Sequence, residues 1–150
     1  MRVRSVTLPL VHLAEPPSAF IGRPPLVVDC SVLCAVLFEE EAREEALRVM
    51  AGRTLHAPML LATEIASVAL QKSRAGWPSA IIEEALSDYR QQAIEHHHPD
   101  VQAQCALALR HGLSAYDAAY LWVAGVLQAP LATFDEKLAQ AARAHLAGPG

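Results

Sequence analysis

The run Leu26-Val27-Val28-Asp29 constrains the fold of this chain more than any other stretch. It is short, apolar, rich in β-branched residues and bounded by Pro25, so it reads as a buried strand that ends in a carboxylate. Weaker strand patterns follow at Thr54-Leu55-His56-Ala57, Ala93-Ile94-Glu95-His96 and Pro130-Leu131-Ala132-Thr133. The intervening segments have helical character over 31–38, 39–51, 59–74, 79–90, 99–111, 114–127 and 135–145. Pro58 suits the first turn of the third of these helices, and Ser79 suits the N-cap of the fourth, with Glu83 and Glu84 near its start. Gly112 closes the fifth. Strands alternating with helices at this spacing predict an α/β layer structure built on a parallel sheet.

The bulk properties narrow the class. At 150 residues the chain supports one domain with a real core, and 53% hydrophobic against 19% charged residues is a globular composition. The longest apolar stretches, such as 118–127, fall short of the ~20 residues that span a bilayer. No signal peptide is expected, since Pro9 and His12 interrupt the N-terminal apolar run. Cys30, Cys34 and Cys105 show no C-x-x-C spacing and read as reduced thiols of a cytoplasmic protein. A net charge of −4 argues against coating nucleic acid by charge alone. It leaves room for a nuclease, because carboxylates gathered around a cation carry formal charge that the cation cancels.

Four acids invite two readings each. Asp29 stands at the end of the best strand, where open parallel sheets bind ligands, yet Asp is also a favoured N-cap. Glu64 is the lone ionisable residue between His56 and Lys72, costly to bury without a partner, although a narrow solvent face with Ser67 and Gln71 also accounts for it. Asp117 sits in Ser114-Ala115-Tyr116-Asp117, a pattern close to a capping box. Asp135 opens the last helix, where Thr133 with Glu136 forms the capping box proper and Asp135 favours the helix dipole. Taken together, Asp29 and Asp135 at strand ends and Asp117 at a helix start converge on one sheet edge if the strands are parallel. Converging carboxylates repel and raise one another's pKa, and a divalent cation relieves that conflict. An all-oxygen donor set points to Mg²⁺ or Mn²⁺.

The ordered pieces Val27-Val28-Asp29-Cys30-Ser31, Ala62-Thr63-Glu64-Ile65, His111-Gly112-Leu113-Ser114-Ala115-Tyr116-Asp117-Ala118-Ala119-Tyr120 and Ala129-Pro130-Leu131-Ala132-Thr133-Phe134-Asp135-Glu136-Lys137-Leu138 resemble the PIN domain family, and within it the VapC-type toxin ribonucleases. The resemblance runs from Leu26 to about Leu146. It implies a three-layer α/β/α fold with a central parallel sheet of four or five strands, placing a nuclease domain at 26–147 after an N-terminal extension, 1–25, of unassigned role. It further implies that Asp29, Glu64, Asp117 and Asp135 hold Mg²⁺ or Mn²⁺, with Ser31 and Thr133 in support. The implied activity is endonucleolytic hydrolysis of RNA leaving a 3′-hydroxyl and a 5′-phosphate. The implied partners are RNA, a small antitoxin protein and a second copy in a homodimer, with no membrane.

Other readings remain beside this one. A PIN-like module that binds without cutting is disfavoured by intact acids at all four positions, while a housekeeping RNA-processing nuclease shares the same chemistry. A haloacid-dehalogenase-type phosphatase needs a second Asp where Ser31 stands, and a P-loop enzyme needs a Gly-rich Lys motif that is missing. Arg43, Arg48, Lys72, Arg74 and Lys137 are the candidate substrate-holding cations. On a strand His96 and His98 would share a face able to bind a transition metal, against the favoured reading of partly exposed strand-end residues. Tyr120, Leu121, Ala124 and Leu127 read as helix core. Exposed apolar positions on the early helices are candidate surfaces for a second copy or an antitoxin segment.

Overall fold

The structure is a computed structural model that describes residues 8–15 and 23–148. Its elements in chain order are β1 (His12–Ala14), β2 (Pro25–Val28), α1 (Cys30–Leu37), α2 (Arg43–Met50), β3 (Thr54–Pro58), α3 (Leu60–Arg74), α4 (Ser79–Gln91), β4 (Glu95–His97), α5 (Val101–His111), α6 (Ala115–Leu127), β5 (Leu131–Thr133) and α7 (Glu136–Leu146). The strands form one sheet in the order β1-β5-β2-β3-β4. β5, β2, β3 and β4 run parallel, and β1 adds to the edge of β5 in the antiparallel sense.

β2 takes a central place because Leu26, Val27 and Val28 are wholly buried, as expected of a strand covered on both faces. The helices sort into two packed groups: α1 gathers α2, α3 and α4, while α6 gathers α5 and α7, and both groups contact the sheet. The result is the three-layer α/β/α arrangement expected. Among the described residues, no helix is long and apolar enough to cross a membrane.

Several local expectations are corrected. Within the N-terminal extension, where no strand was expected, His12, Leu13 and Ala14 form β1, paired to Thr133, Ala132 and Leu131. Of the other extension residues, 1–7 and 16–22 lie outside the described residues. The helix expected from residue 39 starts only at Arg43, because Glu39 takes a φ of 50° that no helix interior accommodates. Pro58 closes β3 instead of opening α3, and the ladder extends past it as the Met59 N–H donates to the His97 carbonyl at 2.9 Å. Ser79 is the first helical residue of α4, not its cap, and Glu83 and Glu84 fall beyond the first turn. The third strand begins at Glu95, since Ala93 at φ 51° cannot continue a pleat. Gly112 ends α5 in the left-handed conformation, as its sequence position suggested.

Candidate metal centre at the sheet edge

Register places the first two acids. Val27 and Val28 pair with Leu131 and Ala132, and the Asp29 N–H donates to the Ala132 carbonyl at 3.2 Å. Asp29 therefore leaves β2 beside Thr133, the last residue of β5. The N-cap reading of Asp29 holds, and the side chain stands at the end of the sheet as its strand position suggested. Its Oδ1 caps α1 by accepting from the Val32 N–H at 3.1 Å, and it also accepts from the Ser31 hydroxyl at 2.6 Å. Its Oδ2 accepts from the Thr133 hydroxyl at 2.5 Å. Ser31 and Thr133 in turn accept from the Phe134 and Asp135 N–H groups at 3.2 and 2.9 Å. These bonds stitch the ends of β2 and β5 together across 104 positions of sequence.

Asp135 is itself the N-cap of α7, accepting from the Leu138 N–H at 2.7 Å. The capping box expected from Thr133 and Glu136 does not form, because Thr133 is still in the strand and its hydroxyl is engaged with Asp29. Asp117 lies in the first turn of α6, capped by Ser114. Glu64 does not occupy a bare solvent face. It is half-buried on α3, and the Tyr120 hydroxyl of α6 donates to its Oε1 at 2.6 Å. Tyr120 thus does more than fill the core, and its position three residues after Asp117, on the same helix face, was the available signal.

All four acids line one cleft of about 680 Å³, and Glu40 and Glu41 from the turn after α1 line it too. Nothing in the sequence marked those two glutamates. Burial raises the pKa of Asp29, with Asp117 adding to the rise against the opposing bonds from Ser31, Thr133 and Val32. Burial likewise raises Glu64, opposed by Tyr120 and reinforced by Asp29 and Asp117. Asp117 is raised by burial and by Asp135, with Ser114 and Lys137 opposing.

A stability prediction follows for the protein stripped of divalent cations. In the fold these acids hold protons to higher pH than their ordinary values of 3.8 for Asp and 4.5 for Glu. The folded state then binds more protons than the unfolded chain, so stability falls as pH rises through the raised values. Calorimetry in EDTA should show Tm dropping from acid toward neutral pH, with the slope reduced in Mg²⁺. An identical slope with and without Mg²⁺ would contradict this.

The donor set suits a hard divalent cation: only carboxylate oxygens, drawn together at an energetic cost that a cation removes. The four acids are not drawn close enough for a compact, fully protein-made cage, since no three of them bring oxygens within 4.8 Å of one another. Mg²⁺, which gives up water reluctantly, fits such spacing.

The other candidates fall elsewhere. Of the cations, Lys137 favours the ionised form of Asp117 through its charge, Arg48 pairs with Glu45 at 3.2 Å, and Lys72 lies over the Trp77 and Phe38 rings at 4.2 and 4.9 Å. His96 and His98 do not form a pair: the Tyr89 hydroxyl lies 2.9 Å from His96 Nε2, and His98 is exposed. The histidine of this run that meets another imidazole is His97, whose Nε2 lies 3.0 Å from His56 Nδ1 on β3. Burial lowers the pKa of His56 against the pull of Glu95, with His97 adding to the drop.

Known proteins share much of this sequence and its fold. The PIN domain family matches residues 26–144. Ribonuclease VapC3 of Pyrobaculum aerophilum is 32% identical over 121 residues, covering 77% of this chain and 92% of that protein. Ribonuclease VapC9 of Mycobacterium tuberculosis is 32% identical over 123 residues, covering 80% and 93%. The crystal structure of PAE2754 from Pyrobaculum aerophilum superposes with a TM-score of 0.57 at 23% identity, over 79% of this chain and 81% of that one, a likeness of fold.

Proposed function

Because this chain belongs to the PIN domain family, we propose that it is a VapC-type endoribonuclease that depends on Mg²⁺ or Mn²⁺ and acts in the cytoplasm as the toxin of a toxin–antitoxin pair. The observation that carries the reading is the meeting of Asp29, Glu64, Asp117 and Asp135, from four separate elements, in one cleft at the C-terminal edge of the parallel sheet. The similarity to proteins named VapC ribonucleases, over 77–80% of this chain and 92–93% of those proteins, supports the choice of RNA as substrate and of a small antitoxin protein as partner.

In this reading the four acids hold the cation, and Ser31, Thr133 and Tyr120 position them. Asp29 Oδ1 already accepts two hydrogen bonds and Oδ2 one, so Oδ2 keeps a lone pair for the cation or a water on it. Glu64 Oε1 is taken by Tyr120, which leaves Oε2 for the cleft, and Leu138 engages Asp135 Oδ1 in the same way. Glu64 and Asp135 are thus each held at one oxygen and present the other. A bound divalent cation supplies a lowered water pKa and neutralises charge on the scissile phosphate. Without it, a cleft lined by six carboxylates repels an RNA backbone. Lys137, whose charge favours the ionised form of Asp117, is the cation assigned to substrate phosphate in this reading.

The test is cleavage of RNA by the purified chain. Cutting is expected in Mg²⁺ or Mn²⁺, lost in EDTA and restored by excess cation, with 5′-phosphate and 3′-hydroxyl ends. Undiminished cutting after exhaustive chelation would refute the reading.

A further inference from the structure

On the far side of β2 from β5, β3 and β4 pair with His56 opposite Glu95 and Pro58 opposite His97. Residues two apart on a strand share a face, so Glu95 and His97 present side chains to the same side, where His56 reaches across from β3. His56 Nδ1 lies 3.0 Å from His97 Nε2 and 3.7 Å from Glu95 Oε2. Among the described residues, these three form the one His, Cys, Asp or Glu trio whose ligand atoms all fall within 4.8 Å of one another. Two imidazole nitrogens bound to one zinc at ~2.0–2.1 Å in near-tetrahedral geometry stand about 3.3 Å apart, close to the spacing here.

The surroundings favour a cation over a simple hydrogen-bonded pair. Thr54 Oγ1 lies 3.2 Å from His56 Nε2, the ring nitrogen turned away from the trio. With Nε2–H donating to that hydroxyl, the Nδ1 lone pair faces His97 and Glu95, the support that metal-binding imidazoles usually have. His56 is buried, His97 half-buried and Glu95 exposed, so the site is walled on one side and open to solvent on the other.

We propose that His56, Glu95 and His97 form a second metal site, separate from the acid cleft, that takes Zn²⁺ or a cation of similar softness. Two imidazoles and one carboxylate suit such an ion rather than Mg²⁺, and three protein ligands leave a position for water. Binding moves the proton shared across the 3.0 Å contact off His97 Nε2, and His97 takes up one at Nδ1 from solvent, so that both rings ligate as neutral imidazoles with no net proton change. Its structural effect is to fasten β4, an edge strand of three residues, to β3. β3 runs through Met59 straight into α3, which carries Glu64, so the second site steadies the strand that seats that helix. None of the cleft acids takes part, and the inference stands independently of the ribonuclease reading.

The test uses the full chain, stripped of metal and held in excess Mg²⁺ to occupy the acids. Zn²⁺ is titrated by calorimetry, and Co²⁺ is added separately to read ligand-field absorption. One equivalent of Zn²⁺ is expected to bind and to raise Tm. Both effects should persist in Asp29→Asn and in His98→Ala, which removes an exposed histidine outside the trio. In His97→Gln the Kd should rise about tenfold or more, and the Tm gain should vanish. If circular dichroism shows that His97→Gln does not fold, Glu95→Gln at the exposed ligand carries the comparison, with weakened Zn²⁺ binding expected. No Zn²⁺ binding, binding unchanged in both trio variants, or binding lost in Asp29→Asn or His98→Ala instead would overturn the proposal.

Discussion

Asp29→Asn is expected to lower RNA cleavage by about a hundredfold or more while leaving the fold intact, in line with the loss of a group that holds or orients a catalytic metal. The substitution keeps size and shape and retains an Oδ1 able to accept from Ser31 and the Val32 N–H. It removes the negative charge, and the amide nitrogen replaces the Oδ2 that accepts from Thr133. Asp29 is only 7% exposed, so its ionised form is costly in the absence of a cation. The variant should therefore hold its Tm in EDTA but gain less than the parent from Mg²⁺. That pairing separates a catalytic loss from an unfolding one. Cleavage within threefold of the parent would remove Asp29 from the proposed machinery, and with it the mechanism built on the four acids.

The largest expected loss of stability comes from Leu121→Ala. Leu121 is 0% exposed in the middle of α6, the helix that packs on β2, β3 and β5 and carries both Asp117 and Tyr120. Truncating a buried leucine costs ~2–5 kcal/mol, the lost transfer free energy plus the cavity left behind. For a domain of this size that corresponds to a Tm lower by roughly 6–15 °C. Leu109→Ala on α5 is the matching control: Leu109 is 80% exposed, and its truncation should stay within ~0.5 kcal/mol. Similar Tm values for the two variants would show that the core is not where the structure puts it.

The four parallel strands and most of the helices were legible because their signals are local, whereas β1 was not. Leu26, Val27 and Val28 announce a buried strand by their side chains alone, and Gly112 marks a helix end by its tolerance of the left-handed region. Boundaries failed where a single backbone angle decided the matter. Glu39 and Ala93 carry no sequence sign of a positive φ, yet each delays the element after it. Pro58 fits the first turn of a helix as well as the end of an edge-side strand, and only pairing with His97 chose between them.

The acids divide along the same line. Asp29, Glu64, Asp117 and Asp135 were named from strand ends, helix starts and a resemblance that the PIN family match bears out for fold and family. Their individual roles stay part of the proposed function. The sequence by itself determined which residues are chemically able to hold a hard cation and roughly which ends of which elements carry them. Only tertiary structure decided that Tyr120 orients Glu64, that Thr133 reaches Asp29 rather than capping a helix, and that His97 meets His56. Those contacts join residues 41 to 104 positions apart, and strand order and register set them. A local pattern holds no record of which distant side chain will stand opposite.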